Sequence, residues 1–342
     1  MERLFRITLD TNPEDCNLNC IMCEEHSEFS EFKKKLYKET GIMHRRMPEE
    51  WIDTIFKEAK ELGVKEIIPS TMGEPLLYKH IDKFFHLAAD NNILINLTTN
   101  GTFPGKTVKE WADLIIPVTI DTKFSVNGAS EKTAESIMKG LRFTKQIENI
   151  REYVAFRNAH YNKTGFYSRI TFQLTFMQNN MHELPGIIKM AADLDVDRIK
   201  GHHLWTHFED IKALSFKYDK ASIKKWNVIV KKAYKAADFY VRPNGKKVLL
   251  EQIEYLNGDK IQTVPEEYDC PFLNKELWIS ATGKISPCCA PDESRAGLGN
   301  FGKFPESSLF DAINSPEYRN LITHYKDYDL CKTCVMRKPI KR

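Results

Sequence analysis

Short apolar runs recur along the first two-thirds of the chain, separated by segments whose apolar residues return every three or four positions. The runs Phe5–Leu9, Glu66–Pro69, Leu94–Leu97, Phe124–Val126, Ile170–Phe176 and Arg198–Gly201 read as strands. Pro48–Leu62 reads as a helix with Trp51, Ile55, Ala59 and Leu62 on one face. The same spacing predicts helices over His80–Asn91, Glu131–Thr144 and Leu184–Leu194, and one starting at Val108–Ala112. About six strand–helix units in this rhythm predict an α/β fold with a parallel sheet and right-handed crossovers. Chemistry in such sheets gathers at the C-terminal strand ends. Thr71-Met72-Gly73-Glu74-Pro75, Thr98-Thr99-Asn100-Gly101, Asn127-Gly128 and Gln178-Asn179-Asn180 fall at those ends.

The remainder is patterned differently. Trp205–Gln262 is rich in lysine and aromatic residues and reads as a mostly helical bridge. Leu277–Ser280 and Ile285–Cys289 flank the turn Thr282-Gly283-Lys284 and predict a hairpin. A helix is expected near Ser308–Tyr325. The predicted domains are residues 1–204, a bridge over 205–268, and a small α+β unit over 269–342.

Composition narrows the class. With 342 residues, 28% of them charged, and a net charge of +3, the surface is nearly balanced, which argues against a nucleic-acid partner held by bulk charge. The lysines at Lys33–Lys35 and Lys224–Lys235 read as solvated helix faces. There is neither a run of about 18 apolar residues that could span a membrane nor the apolar segment of a secretory signal, so the expected location is cytoplasmic. Thiols stay reduced there, and clustered cysteines then point to metal or redox chemistry rather than disulfides.

The eight cysteines fall into two groups: Cys16, Cys20 and Cys23 near the start, and Cys270, Cys288, Cys289, Cys331 and Cys334 in the last quarter. Cysteines serving only as small core residues would be spread along the chain. Three thiolates in one loop suit an iron–sulfur cluster with one iron left open. A zinc knuckle completed by His26 is the alternative for this group. Four of the five later thiols can fill a closed cluster or a zinc site. Adjacent side chains on a strand face opposite ways, so one of Cys288 and Cys289 is spare; the spacing from Cys270 favours Cys288 as ligand.

The Cys-x3-Cys-x2-Cys loop after strand one, Gly73-Glu74-Pro75 after strand two and Asn127-Gly128 after strand four resemble radical S-adenosylmethionine (radical SAM) enzymes. The resemblance implies a partial (βα)6 barrel of the TIM type. It implies a [4Fe–4S] cluster held by Cys16, Cys20 and Cys23, and S-adenosylmethionine chelated to the open iron. Reductive cleavage to a 5′-deoxyadenosyl radical and hydrogen abstraction from a substrate would follow. The segment from Trp278 to Cys288, with Cys270-x17-Cys288-x42-Cys331-x2-Cys334, resembles the family's SPASM/twitch extension, here with one auxiliary [4Fe–4S] cluster. A flavodoxin or ferredoxin as electron donor is implied in the same way. Two positions depart from the pattern: Met22 stands where an aromatic residue is usual, and Met72 replaces the first glycine of Gly-Gly-Glu-Pro.

On that resemblance, Met22, Gly73, Glu74, Pro75, Ser125, Asn127 and Gln173 are expected at the cofactor, Gln173 being equally a hydrogen-bonded core residue. Arg169, His202 and His203 are candidates for acid–base or substrate contacts, with Tyr167 and His207 nearby, although each could equally be structural. The expected activity is an oxidoreductase reaction, a dehydrogenation in which the auxiliary cluster accepts an electron. The substrate is a small molecule, or a ribosomal peptide that is cross-linked or epimerised. A zinc-stabilised module without chemistry is the reading from another class.

Overall fold

The computed structural model describes residues 4–70, 72–216, 220–257, 267–290, 292–334 and 336–339. Thr71 of the strand-two motif and positions 258–262 of the expected bridge lie outside the described residues.

A nine-stranded sheet organises the chain. Six strands form the repeating units: β1 (Arg6–Leu9), β2 (Glu66–Ile68), β3 (Leu94–Thr99), β4 (Thr119–Ser125), β5 (Arg169–Phe176) and β6 (Arg198–His203). They lie side by side in chain order, and every neighbouring pair is parallel. Three more strands extend the two edges. β7 (Leu249–Glu251) adds in parallel beyond β6. β8 (Glu276–Ile279) pairs in parallel with β1, and β9 (Ile285–Ser286) pairs antiparallel with β8. The C-terminal hairpin is thus sewn onto the barrel's first strand.

Side-chain alternation splits each strand between two environments. Ile7, Leu9, Ile67, Ile95, Leu97, Phe124, Ile170, Phe172, Leu174 and Ile199 join one core with the covering helices. Helix Glu49–Glu61 contributes Ile52, Ile55, Phe56 and Ala59, and Ile81–Asn91 contributes Ile81, Phe84, Phe85 and Ala88. The alternate residues face inward and are mostly polar. At the start of the strands they form a charged floor, where Arg6 meets Glu66 at 2.6 Å and Glu276 at 3.3 Å. Arg198 pairs with Asp121, and with Glu251 at 2.6 Å.

Some elements differ from the sequence expectation for identifiable reasons. The helix begun at Glu131 ends at Ile137, and a 22-residue helix, Phe143–Thr164, follows. Its buried face includes Gln146, Asn149 and Arg157, so no clean apolar stripe marks it in the sequence. The fully buried Arg157 donates to Asp197 at 2.7 Å and to the carbonyls of Ser168 and Asp195. Helix Phe32–Thr40 escapes pattern reading because it buries only Leu36. The expected bridge supplies one long helix, Lys220–Phe239, and strand β7. The C-terminal helix is two, Leu309–Asn314 and Pro316–His324, divided at Ser315. No helix among the described residues is long and apolar enough to cross a membrane.

Candidate active site

The first cysteine loop leaves β1 and folds over the ends of β2, β3 and β4. Residues Asn19–Cys20 pair with Met138–Lys139, anchoring the loop to the segment after β4. Leu18 and Ile21 pack with Ala134, Ile137 and Met138, and Met22 leans on the same group. Cys16, Cys20 and Cys23 then line a cavity of about 150 Å³, together with Ser70, Met72, Gly73, Glu74, Thr98, Thr99, Asn100 and Ser125. Burial raises the pKa of all three thiols, pushing Cys16 to about 12, and Cys23 adds to the shift of Cys16 and Cys20. Thiols so placed become ligands by exchanging their protons for metal. No three metal-ligating side chains among the described residues converge on one ion. His26 uses both ring nitrogens elsewhere, Nε2 at 2.8 Å from the Pro13 carbonyl and Nδ1 at 3.2 Å from the Lys33 ammonium. The ring lines the cavity beside the cysteines, with both nitrogens engaged by other groups.

Gly73 and Glu74 shape the cavity wall. Gly73 has φ +70°, and an added Cβ would lie 2.4 Å from the Asn12 carbonyl and 2.7 Å from that of Asp15. Its missing side chain lets the cysteine loop cross β2's end. Glu74 is 1% exposed. Its carboxylate accepts from Thr99 Oγ1 at 2.8 Å, the Asn100 amide at 2.7 Å and the Leu76 amide at 3.2 Å. Burial lifts its pKa to about 7 despite those bonds. Pro75 is buried in the short helical turn Pro75–Leu77. Ser125 lines the cavity, while its carbonyl accepts from Gln146.

A second cavity, of about 320 Å³, adjoins the first through Met72, which lines both. Asp10, Glu24 and Glu25 from the loop side face Trp278, Ser280 and Cys289 from the C-terminal hairpin, and His202, Trp205 and His207 stand between. His202 is exposed to this space, with Gln173 Nε2 at 3.4 Å and Thr175 Oγ1 at 3.3 Å. The surrounding protein and Lys200 hold its imidazole neutral.

The later cysteines gather behind the hairpin. Cys270, Cys288, Cys331 and Cys334 act on one another's charge, and burial raises Cys331 to about 12. The Cys289 thiol donates a hydrogen bond to Cys288 Sγ and lines the second cavity.

Three sequence candidates stand elsewhere. Asn127 is turned inward, its Oδ1 accepting from the Thr175 amide at 2.9 Å, so it stitches β4 to β5 instead of facing the cavity. Arg169 starts β5, at the opposite end of the barrel, 3.7 Å from Asp121, and lines a pocket there with Tyr167 and Arg242. His203 points outward among Phe176, Phe216 and Trp226, with ring centroids 5.2–5.7 Å away. It lies one residue from His202 on a strand, which places it on the other face. Sequence reasoning missed Glu24, Glu25 and Trp278, which no local pattern brings together. Thr98, Thr99 and Asn100 carried a signal, a polar cluster at a strand end.

This geometry defines a class: a parallel barrel with an iron–sulfur loop at its mouth and a second thiol set docked alongside. Sequence models of the Radical SAM superfamily and of the SPASM iron–sulfur cluster-binding domain match residues 13–166 and 270–335. The chain belongs to the radical SAM superfamily and carries a SPASM domain; its cofactors are S-adenosylmethionine and two [4Fe–4S] clusters. It is 25% identical over 192 residues to the PqqA peptide cyclase of Bradyrhizobium diazoefficiens, a match spanning 54% of this chain and 43% of that protein. SuiB of Streptococcus suis, solved with S-adenosylmethionine, superposes with a TM-score of 0.66 at 15% identity, over 94% of this chain and 68% of its own. anSMEcpe, solved with AdoMet and a peptide, gives a TM-score of 0.64 at 14% identity, over 97% of this chain and 88% of its own.

Proposed function

We propose that this enzyme oxidises a substrate held in the second cavity, between the two cysteine sets. Cys16, Cys20 and Cys23 hold the S-adenosylmethionine-binding cluster; Cys270, Cys288, Cys331 and Cys334 hold the auxiliary one. The carrying observation is that one cavity adjoins the first site through Met72 and meets the second cysteine set through Cys289. When bound and reduced, the first cluster with S-adenosylmethionine supplies a 5′-deoxyadenosyl radical that removes one hydrogen atom from the substrate. The chain's own residues do the rest. Thr98, Thr99 and Ser125 form the wall against which the cofactor lies. Trp205 and Trp278 shield the cavity from water, and His202 presents a neutral imidazole able to take the proton lost on oxidation. The second cysteine set would hold the group that accepts the remaining electron, and a flavodoxin- or ferredoxin-type donor would supply the electron spent on cleaving S-adenosylmethionine.

A peptide substrate is supported by the relatives: one is named a peptide cyclase, and SuiB has been solved with its precursor peptide SuiA. A free small molecule is the second reading, favoured by a cavity of about 320 Å³, near the lower end of ordinary ligand pockets. Anaerobic purification should give brown protein with about eight irons per chain. Replacing Cys16, Cys20 and Cys23 together by alanine should abolish 5′-deoxyadenosine formation, while replacing Cys331 and Cys334 spares part of it. Colourless zinc-loaded protein, or 5′-deoxyadenosine from the triple variant, sinks the proposal.

A further inference from the structure

The barrel interior contains a charge that no described residue pairs with directly. Inward-facing residues divide by depth. Glu66, Asp121, Thr171 and Glu276 on the floor are buried. Above them Ile68, Thr98, Lys123, Gln173, Lys200 and Trp278 face inward yet keep accessible surface, so the space between the floor and the strand ends is open. The ionised groups lining it pair off. Arg6 takes Glu66 and Glu276, Arg198 takes Asp121 and Glu251, and Lys200 meets Glu251 at 3.0 Å. Lys123 makes no ion pair or hydrogen bond among the described residues. Asp121 and Glu66 act on it only through space, and both are already committed to arginines. Desolvation is the larger influence and lowers its ammonium to about 8, still mostly charged at neutral pH.

Its position is suggestive. Lys123 precedes Ser125 by two residues on β4, so it points the same way from about 6–7 Å deeper in the barrel. Ser125 lines the cofactor cavity. An anion beside the Lys123 ammonium would therefore lie beneath the cofactor, and the group attached to it would extend toward the strand ends. A half-desolvated cation without a partner is costly, and this barrel pairs its other interior charges. The missing countercharge is one that a ligand brings.

We propose that Lys123 binds a carboxylate of the substrate at the bottom of the barrel, fixing how the reacting carbon meets the cofactor. The proposal rests on the proposed function, with the substrate reaching from the second cavity into this space past Trp278, which faces both. A free carboxylate on a small molecule, or an Asp, Glu or C-terminal carboxylate of a peptide, satisfies it.

The test uses the wild-type enzyme with both clusters, with and without S-adenosylmethionine. Acetylation of each lysine is timed by peptide mass spectrometry, with glutarate as the anionic probe and glutaramide as its neutral match. Glutarate at several times its Kd should slow acetylation of Lys123 by about fivefold, saturably, leaving Lys224 and Lys225 on the surface unchanged. Glutaramide should have no effect. Lys123→Met should keep S-adenosylmethionine affinity within about twofold of wild type. No protection by glutarate overturns the proposal. So does full protection by S-adenosylmethionine alone, or a tenfold loss of its affinity in the variant, because the carboxylate held would then be the cofactor's. The labelling result is read independently of catalysis. Wild-type enzyme that protects Lys123 but makes no 5′-deoxyadenosine would fault the proposed function and not this site.

Discussion

Glu74 and Asn100 meet across the ends of adjacent strands, the Glu74 carboxylate accepting the Asn100 amide at 2.7 Å. The same carboxylate takes the Thr99 hydroxyl, and the Asn12 side chain donates to the Glu74 carbonyl at 3.0 Å. One buried acid thus ties β2, β3 and the cysteine loop together. Glu74→Ala leaves Thr99 and Asn100 unsatisfied and should cost about 2–4 kcal/mol of stability. Glu74→Gln retains one acceptor oxygen and should cost less. Thermal unfolding with parallel S-adenosylmethionine titration measures both effects; an alanine variant as stable as wild type would show that no such clamp exists.

The adjacent cysteines should separate cleanly. Cys288 acts on Cys270, Cys331 and Cys334, whereas Cys289, near Cys288 and Cys334, also lines the second cavity. Cys288→Ala should lose about half the iron, one cluster of two. Cys289→Ala should retain both clusters and their spectra. Iron loss in the Cys289 variant alone would reverse the assignment.

His26 offers a check on the first loop. Its two nitrogens are engaged by Pro13 and Lys33, so His26→Ala should load a [4Fe–4S] cluster as fully as wild type. Removing its bond to the buried Pro13 carbonyl should cost about 1–3 kcal/mol. Loss of the cluster's electron paramagnetic resonance signal on this change alone would make His26 a ligand.

At the closed end of the barrel, Asp197 faces the buried Arg157 at 2.7 Å and Arg242 at 2.7 Å. Burial works to raise its pKa, but Arg157, Tyr167, the Ile170 amide and Arg242 together hold it below the ordinary carboxylate value. A lowered folded pKa stabilises the protein above the unfolded value, near 4, and this contribution fades as pH falls through the folded one. Asp197→Asn leaves Arg157 buried with reduced compensation and should cost about 3–5 kcal/mol at pH 7. The gap to wild type should narrow as pH drops below about 4. Denaturant unfolding across that range reads it; a gap independent of pH would remove the ion pair as the cause.

Legibility from sequence followed locality. Strand β5 is an apolar alternation that any reading finds, and the cysteine loop is three like residues within eight positions. Helix Phe143–Thr164 is obscured because its buried face recruits Gln146, Asn149 and Arg157, polar residues that donate to carbonyls and a carboxylate distant in the chain. His202 and His203 are indistinguishable as neighbours in a row. Their strand alternation, read against the packed helix Lys220–Phe239, sends one into the cavity and the other against Trp226. Asn127 had the right type at the right strand end, but Thr175 on the adjoining strand claims its side chain.

The sequence by itself determined the alternation of strands and helices, the two cysteine sets and the glycine at position 73, because each depends on residues close in the chain. Only the tertiary structure decided that β8 pairs with β1, with Arg6 opposite Glu276. That pairing carries Cys289 and Trp278 across some 250 residues to face Glu24 and Glu25, and it builds the cavity between the two sites. It also decided that, among the described residues, Lys123 makes no ion pair where its neighbours are matched. Strand order, register and countercharge are long-range facts. They are fixed by which apolar faces and buried charges can be satisfied together, and no local spacing encodes them.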